Sequence, residues 1–373
     1  MKLNKIIQSL EKWAPSIYQE SYDNSGLIIG DINSEVSGCL ITLDCTEEVV
    51  DEAIKKNCNL IISHHPILFK SINKINFNNW ESRVIKKSIK NDINIYALHT
   101  NLDNVSNGVN KKICDILQVD NTEILRKKEN ISCRLDVYIP EKDKDEFLKK
   151  IFETGGGIIG NYNECSFQIH GRGTFLPNDE AKPQIGEKNK KETIDEIKLE
   201  IFFDKNYIEN IKHCINQYHP YDEPTYSINN TLNTSKNIGS GMIGKRKVDF
   251  KILIKEIVKL FNVKSIRHTN IVKNKINTIA VCGGSGSFLI KDAIAAKADV
   301  FITSDMKYHD YFIADNKITI IDIGHYEGEQ FTKDLIFEYL SKKFLNIALH
   351  LSNVNTNPIN YYNWHGKHWK KTW

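Results

Sequence analysis

The same order of secondary structure is predicted twice along the chain, and this repeat restricts the fold more than any other feature. Each half contains a strand, a helix, a second strand and, further along, a third strand. The segments are 38–44, 46–58, 59–66 and 94–103 in the first half, and 277–287, 287–298, 299–305 and 318–329 in the second. Apolar runs such as LIIS (60–63) fit strands that are covered on both faces, as in parallel sheets with right-handed crossovers. We therefore expect an α/β protein with a split core of two similar strand-helix-strand halves.

The composition excludes several classes of protein. With 373 residues the chain is long enough for two or three domains. Its net charge of +3 is too small for a typical DNA-binding protein, and no apolar segment approaches the roughly 20 residues that span a bilayer. Eight cysteines lie at positions 39, 45, 58, 114, 133, 165, 214 and 282, without a C-x-x-C pair. This cysteine pattern favours reduced thiols and a cytoplasmic location. From the charge and the apolar segments we expect neither nucleic acid nor a membrane as partner.

Side chains that can bind metals end the predicted strands of both halves. His64 and His65 follow the apolar run 60–63, and Asp103 ends the third strand of the first half. His325 and Glu329 stand four residues apart at the corresponding place in the second half, so a helical turn would bring them to one point. In α/β sheets, ligands gather beyond the carboxyl ends of the strands. Imidazoles and carboxylates together suit divalent Zn, Mn, Fe or Ni.

The adjacent histidines predict two neighbouring metal ions. Successive side chains of a regular strand point to opposite faces, so at a strand end His64 and His65 would each serve one of two ions. Two ions about 3.5–4 Å apart need a bridging carboxylate, and Glu329 has the longer reach. A single HH pair after a strand is more often an ordinary loop feature. The recurrence of ligand types at strand ends in both halves favours the metal site.

A set of short motifs resembles one known family. The motifs are YDNSGLIIG (22–30), LDCTEEVV (43–50), SHHP (63–66), HTNLDN (99–104), VCGGSGS (281–287), ITSDMKYHD (302–310) and GHYEGE (324–329). Together they resemble the GTP cyclohydrolase I type 2 homologue family, also called Nif-three-like, from residue 2 to about residue 359. Tyr22 stands where this family usually has Trp, and Ser304 where it usually has Gly.

The resemblance implies a toroidal homohexamer with a dinuclear metal site in each subunit. The residues that match the family's metal ligands are His64, His65, Asp103, His325 and Glu329. His325 and Glu329 are also the candidate catalytic residues. His99 and Asp44 are predicted to lie behind the ligands, where His99 would orient Asp103.

Residues 128–235 interrupt the repeat and predict an inserted domain. A strand (131–140), a helix (141–155), a strand pair (162–177), a strand (194–204), a helix (206–218) and a last segment (219–228) give the β-α-β-β-α-β order of ferredoxin-like domains. TGGGIIGNYNECSF and HPYDEPTY resemble the CutA/PII-like insert of longer family members. The predicted division is a first core half (1–125), the insert (128–235), a second core half (236–348) and a C-terminal tail (349–373). His365 and His368 of the tail are candidates for weak metal binding, with disorder as the favoured alternative.

Two clusters are candidates for substrate binding. A glycine-rich turn follows a predicted strand and opens a helix, so its N–H groups could hold a phosphate. Without the spacing of a Walker lysine, the same turn is also an ordinary tight turn. The second cluster ends the strand 299–305 and would contact an anionic substrate, a surface loop being the alternative. The candidate residues are Gly283, Gly284, Ser285 and Gly286 in the turn, and Lys307 and His309 after the strand.

These features predict a metal-dependent hydrolase. Two divalent metal ions per subunit would activate water for attack on an electrophilic carbon or phosphorus. The resemblance implies opening of the guanine imidazole ring of GTP, and hydrolysis of a related nucleotide or phosphoester would use the same groups. The expected partners are further copies of the chain and a small anionic or nucleotide substrate. The alternative is a ring scaffold or regulator that binds metal without turnover, with the insert as a small-molecule sensor.

Overall fold

The structure is a computed structural model that describes residues 1–70, 72, 74–365 and 368–372, with only the backbone described from residue 363 onward. The chain divides into two compact units. One contains residues 1–127 and 236–373, and the other contains residues 128–235. Every predicted metal ligand belongs to the first unit.

The helices and strands of the chain follow the predicted alternation. Up to residue 127 they are α1 (Leu3–Trp13), β1 (Gly26–Ile29), β2 (Gly38–Thr42), α2 (Glu47–Lys55), β3 (Leu60–Ser63), α3 (Trp80–Lys90), β4 (Asn94–Ala97), α4 (Thr100–Asp103), α5 (Val109–Ile116) and β5 (Asp120–Lys127). Residues 128–235 form β6 (Ser132–Pro140), α6 (Lys144–Glu153), β7 (Phe167–Phe175), β8 (Glu192–Asp204), α7 (Ile208–Tyr218) and β9 (Tyr226–Thr231). The chain continues with β10 (Gly239–Asp249), α8 (Phe250–Leu260), β11 (Arg267–His268), β12 (Lys275–Ser285), α9 (Ile290–Ala295), β13 (Val300–Ser304), β14 (Thr319–Asp322), α10 (His325–Glu329), α11 (Thr332–Lys343), β15 (Ala348–Leu351), β16 (Tyr361–His365) and β17 (His368–Thr372).

The first sheet has the strand order β1-β4-β3-β2-β15, and its central strands β2, β3 and β4 are parallel. Every residue of these three strands is buried, which agrees with their continuous apolar sequence. Helix α2 begins directly after Thr46, its N-cap residue, whose side chain accepts a hydrogen bond from the Val49 N–H at 3.4 Å. Val49, Val50 and Ala53 of this helix join the core cluster under the sheet. The carboxyl ends of β3 and β4 therefore lie at the same edge.

The second sheet has the order β11-β14-β13-β12-β10-β5 and repeats the parallel set with β12, β13 and β14. A core cluster joins α9 to these strands through Ile290, Ala293 and Phe301. After β14 the chain enters α10, which carries both predicted ligands of the second half. The two predicted halves thus each contribute a parallel set of strands to one unit, and the protein is of mixed α/β class.

The unit of residues 128–235 contains an antiparallel sheet with the order β7-β8-β6-β9. Its core is separate, since Phe147 and Ile151 of α6 and Ile211 and Ile215 of α7 pack on alternate residues of β6 and β8. The expected strand pair within 162–177 is a single strand, β7, which pairs with β8 along its whole length. Most residues of β7 are exposed, so an apolar periodicity that could define its ends is lacking.

The segment predicted as a tail is ordered over most of its length. Strand β15 pairs in parallel with β2 of the first sheet, and β16 pairs antiparallel with β17. The side chains of the metal candidates His365 and His368 lie outside the described residues, as do residues 366, 367 and 373. Of the helices in the described part of the chain, none has both the length and the apolar character needed to cross a membrane.

Candidate metal centre

Two adjacent histidines reach the same centre because β3 ends in a turn. The backbone N–H groups of His64 and His65 both donate to the carbonyl of Leu43, at 3.1 and 2.9 Å, so the chain has left regular strand geometry. Their ring centroids lie 4.9 Å apart. His64 is fully buried, and His65 is partly buried, with 15% of its side chain exposed. The alternation of strand side chains, which predicted separate directions for the two rings, no longer applies at this point.

The five predicted ligands come together as two groups that share one carboxylate. Nε2 of His65 and Nε2 of His325 lie 3.0 and 2.9 Å from Oε2 of Glu329, and 3.2 Å from each other. Nε2 of His64 lies 3.7 Å from the same Glu329 oxygen and 3.7 Å from Oδ1 of Asp103. Ligand atoms of His65, His325 and Glu329 form one group that could hold a metal ion, and those of His64, Asp103 and Glu329 form another.

Hydrogen bonds fix the imidazoles so that Nε2 faces the centre. Nδ1 of His64 donates to the carbonyl of Leu98 at 2.7 Å, because a carbonyl can only accept. Nδ1 of His65 lies 2.7 Å from Oδ1 of Asp44, and Nδ1 of His325 lies 2.6 Å from Oδ2 of Asp305. This is the arrangement of metal-binding histidines, in which the second ring nitrogen is held by a carbonyl or a carboxylate. Asp44, which was predicted to lie behind the ligands, contacts the Nδ1 side of His65.

Two buried polar atoms point to a missing partner at the centre. Nε2 of His64 and Oδ1 of Asp103 are buried without a hydrogen-bond partner in the described part of the structure. Leaving such atoms unpaired costs about 1–3 kcal/mol each. Their separation of 3.7 Å is too long for a hydrogen bond but suits two ligands of one cation. The residues present therefore fit a divalent metal.

The electrostatics of the centre favour positive charge. Burial lowers the pKa of His65, but hydrogen bonds to Asp44 and Glu329 outweigh burial and raise this pKa to about 9. Burial also opposes the proton on His325, yet the Glu329 charge and the Asp305 hydrogen bond raise its pKa to about 11. A divalent cation would supply the same positive charge in place of these protons.

The two carboxylates of the groups differ in their pKa. Burial, together with the nearby charge of Glu329, raises the pKa of Asp103 to about 8. Burial acts in the same direction on Glu329, but the charge and hydrogen bond of His325 hold its pKa well below the usual value. Glu329 is therefore ionised where it meets both groups, which is what a shared ligand requires.

His99 occupies a different place from the predicted one. Its Nδ1 lies 2.6 Å from Oδ1 of Asp23 and not against Asp103. His99 is the residue before α4, whereas Asp103 is the last residue of that helix. The two side chains therefore do not share a helical face, although they stand four positions apart. One of its ring nitrogens lies within 4.8 Å of nitrogens of His64 and His65. The role of Asp23 was missed, although it belongs to the quoted motif YDNSGLIIG, because no strand end or ligand spacing marks it.

The glycine-rich turn packs against the shared carboxylate. A Cβ atom on Gly284, whose φ is 61°, would lie 2.3 Å from Oε1 of Glu329. Ser304, at the position where the resembled family usually has Gly, donates a 2.6 Å hydrogen bond from its hydroxyl to the carbonyl of Gly284. The N–H of Gly283 donates to Asn110 at 2.9 Å and is thus engaged within the chain. Gly286 is equally tight, since a Cβ there would lie 2.4 Å from Oγ1 of Thr303.

A cavity of about 490 Å³ opens beside the ligands. Its walls include the aromatic side chains of Tyr22, Phe69, Trp80, Phe288 and Tyr326. Gly283 and Ser285 of the glycine-rich turn line it, whereas Lys307 and His309 do not. No Lys or Arg is found among the described residues that line it. The cavity therefore combines aromatic walls with a centre that contains carboxylates.

Known proteins are similar to this chain over almost its whole length. A family model described as Duf34/NIF3 (NGG1p interacting factor 3) matches residues 1–358. A Staphylococcus aureus protein named "GTP cyclohydrolase 1 type 2 homolog" is 36% identical over 97% of this chain and 100% of its own length, and a Staphylococcus epidermidis protein of the same name is 34% identical. The solved structure of a Bacillus cereus protein related to NIF3 superposes with a TM-score of 0.79 at 32% identity, over 97% of this chain and 99% of that one.

Proposed function

The chain belongs to the Duf34/NIF3 family, and we propose that it is a metal-dependent hydrolase with a dinuclear site. Membership confirms the resemblance that the short motifs predicted. The observation that carries the proposal is the pair of ligand groups that meet at Oε2 of Glu329. His64 with Asp103 would hold one divalent cation, and His65 with His325 the other. Glu329 would bridge them.

The proposed chemistry divides between the cations and the side chains around them. When bound, divalent cations supply Lewis-acid chemistry, lowering the pKa of water at the site towards about 7 and polarising the bond to be broken. Asp44 and Asp305 hold the Nδ1 protons of His65 and His325, so that Nε2 of both rings keeps its direction. Glu329 keeps two cationic groups close together, and for this reason we propose it, with His325, as catalytic.

The proposed substrate is a small molecule with a flat ring. The aromatic walls formed by Tyr22, Phe69 and Trp80 favour stacking on a nucleobase. The name of the staphylococcal relatives suggests GTP. One water would add at the imidazole carbon of guanine and open the ring, and a second water would break the remaining C–N bond and release formate. A related nucleotide or phosphoester is the wider class. The turn Gly283–Gly286 remains a proposed phosphate contact. Lys307 and His309 remain proposed contacts for an anionic part of the substrate that extends beyond the cavity.

The insert is proposed to be a ferredoxin-like domain of the CutA/PII type. The support is its antiparallel strand order β7-β8-β6-β9 together with two helices in one core. A cavity of about 980 Å³ lies in this unit and is lined by charged and polar groups that include His170, Arg172, Lys198 and Tyr221. This cavity favours a small-molecule sensor as the role of the insert. We further propose a homohexamer in the cytoplasm, where the cysteines, all free of disulfides, would stay reduced.

Metal analysis and a turnover screen test the proposed function. The purified protein is analysed for metals by mass spectrometry, loaded with Zn²⁺, Mn²⁺, Fe²⁺ or Ni²⁺, and incubated with GTP and a panel of nucleotides and phosphoesters. We expect formate or phosphate release by the loaded protein and its loss in His65→Ala. His213→Ala, an exposed histidine on α7, is the matched control and should keep full release. Tight metal binding without release from any compound would favour the scaffold or regulator instead.

A further inference from the structure

The segment of residues 352–361, which follows β15, is hydrogen-bonded to three carboxylates of the same unit. At its start, the hydroxyl of Ser352 donates to Oε2 of Glu52 at 2.6 Å. In its middle, the hydroxyl of Thr356 donates to Oδ2 of Asp44 at 2.5 Å. At its end, Tyr361 donates to Glu327. Two of these three carboxylates adjoin the metal ligands.

The contact of Thr356 completes a chain of hydrogen bonds to His65. Asp44 accepts the Nδ1 proton of His65 on Oδ1 and the Thr356 hydroxyl on Oδ2, so both of its oxygens are engaged. With a single partner the carboxylate could rotate about its own side chain. With both partners its plane, and therefore the direction of the His65 ring, is fixed.

The contacts of Asn357 and Tyr361 act on α10, the helix that carries His325 and Glu329. Glu327 lies on α10 between His325 and Glu329, and its side chain is buried. Its Oε1 accepts from the Tyr361 hydroxyl at 3.1 Å and from Nδ2 of Asn357 at 3.3 Å. Because α10 has only five residues, contacts that hold Glu327 also restrain the short helix that carries both neighbouring ligands.

The same segment also reaches the cavity beside the centre. Asn357, Pro358 and Ile359 form part of its lining. Glu327 is packed closely against the start of α10. A Cβ on Gly324, where φ is 92°, would lie only 2.3 Å from Oε2 of Glu327. The segment therefore contacts Asp44 behind His65, Glu327 on α10 and the place where a substrate would lie.

We propose that the 352–361 segment is a positioning element of the metal centre, acting on His65 through Asp44 and on α10 through Glu327. This inference rests on the proposed metal binding of the centre. Thr356, Asn357 and Tyr361 are positioning residues, because they touch no ligand atom themselves. Their loss should weaken metal binding and change the ligand geometry, with little effect on the stability of the metal-free protein.

The test compares Thr356→Val with Thr356→Ser, using Co²⁺ alone as the probe. Valine keeps the shape of threonine and removes the hydroxyl, while serine restores the hydroxyl. Thr154→Val is the matched control, since the Thr154 hydroxyl bonds to the carbonyl of Lys150 in the unit of residues 128–235. Affinity and the visible absorption spectrum of bound Co²⁺ are measured, together with the melting temperature of each metal-free protein.

We expect the affinity of Thr356→Val for Co²⁺ to fall by about 10- to 100-fold, the usual effect of losing a partner behind a metal ligand. Its spectrum should change, while Thr356→Ser and Thr154→Val resemble the wild type. Wild-type affinity and spectrum in Thr356→Val would overturn the inference. Equal weakening in Thr356→Ser, or a large fall in the melting temperature of metal-free Thr356→Val, would assign Thr356 to general stability and overturn it too. A wild-type protein that takes up no Co²⁺ would instead refute the metal centre itself.

Discussion

Removal of residues 128–235 should leave a folded core with its metal centre intact. The structure shows how the two chain ends left by this deletion can be joined. Lys127 at the end of β5 is the register partner of Gly239 on β10, and antiparallel partners lie about 4.5–5.5 Å apart at their Cα atoms. Residues 236–238 should be kept, because the carbonyl of Asn237 accepts from the Ser106 N–H at 2.9 Å and Ile238 bridges to Val105. A Gly-Ser-Gly linker between residues 127 and 236 then completes a hairpin loop.

The expected cost in stability is small. The hydrophobic clusters under the first and second sheets contain only residues of the first unit, and the cluster of the insert contains only residues 133–228. None of these three clusters loses a member through the deletion, except that the insert's own cluster is removed as a whole. Shortening the connection between residues 127 and 239 lowers the entropy cost of loop closure, by about 2.5 kcal/mol at most, so this change acts in favour of the variant. For a core of this size that would raise the melting temperature by about 10 °C at most.

The assay is thermal unfolding by circular dichroism, combined with metal content by mass spectrometry on the same sample. The deletion variant should bind as much metal per chain as the full-length protein, since no residue of the insert is a proposed ligand. Full-length His65→Ala serves as the opposite control, because it keeps the insert and should lose about half of its metal. A folded deletion variant with less than half of the wild-type metal content would refute the reasoning and show that the insert helps to build the site.

Three further predictions concern single side chains. Glu329→Gln keeps the shape of the shared ligand without its charge, so we expect the metal content of both proposed metal sites to fall below about a tenth of the wild-type value. Full occupancy would contradict the proposal that Glu329 bridges the two cations. His64→Ala and His65→Ala should each retain about half of the wild-type metal, whereas His213→Ala should retain all of it; full occupancy in both would contradict the assignment of the whole site. His219 in the insert donates from Nε2 to the carbonyl of Tyr138 and accepts at Nδ1 from the Tyr221 N–H, and burial lowers its pKa below the ordinary 6.5. The imidazole of His219 therefore binds a proton more readily in the unfolded chain than in the folded one. The contribution of His219 to the free energy of unfolding should be largest above about pH 6.5 and should decrease as the pH falls below that value. His219→Gln, whose amide can make both bonds without titrating, should flatten the dependence of the urea midpoint between pH 7.5 and 5, and an unchanged slope would exclude His219 as its source.

Much of the fold and the ligand set could be predicted because strand periodicity and strand ends are local signals. The apolar run 60–63 predicts a buried strand, and the edge of a parallel sheet brings its end close to the ends of its neighbours. On this ground His64 and His65 could be placed near the end of β4, whereas Asp103, predicted to end that strand, lies on α4 just after it. The helical spacing of His325 and Glu329 likewise predicted their approach, which the structure shows at 2.9 Å.

Apart from Asp44, the groups behind the ligands could not be predicted, because they depend on contacts distant in sequence. Asp23 reaches His99 across 76 positions, and Thr356 reaches Asp44 across 312. Neither contact follows from periodicity, which indicates the face of an element but not the partner that the face meets. The single strand β7 in place of a strand pair has a similar cause, since its exposed residues and Gly171 and Gly173 give no apolar pattern.

The shared carboxylate has a consequence for the folding equilibrium. Nε2 of His65 and Oε2 of Glu329 lie 3.0 Å apart but 264 positions apart in sequence, so the complete set of ligands exists only once both sheets have assembled. A cation that binds this set binds the native chain far better than the unfolded one. Its binding free energy is then added to conformational stability, by about 2.7 kcal/mol at a free concentration 100 times the dissociation constant. The melting temperature of this protein should therefore rise with the logarithm of metal concentration, and a chelator should reveal the lower intrinsic stability of the chain.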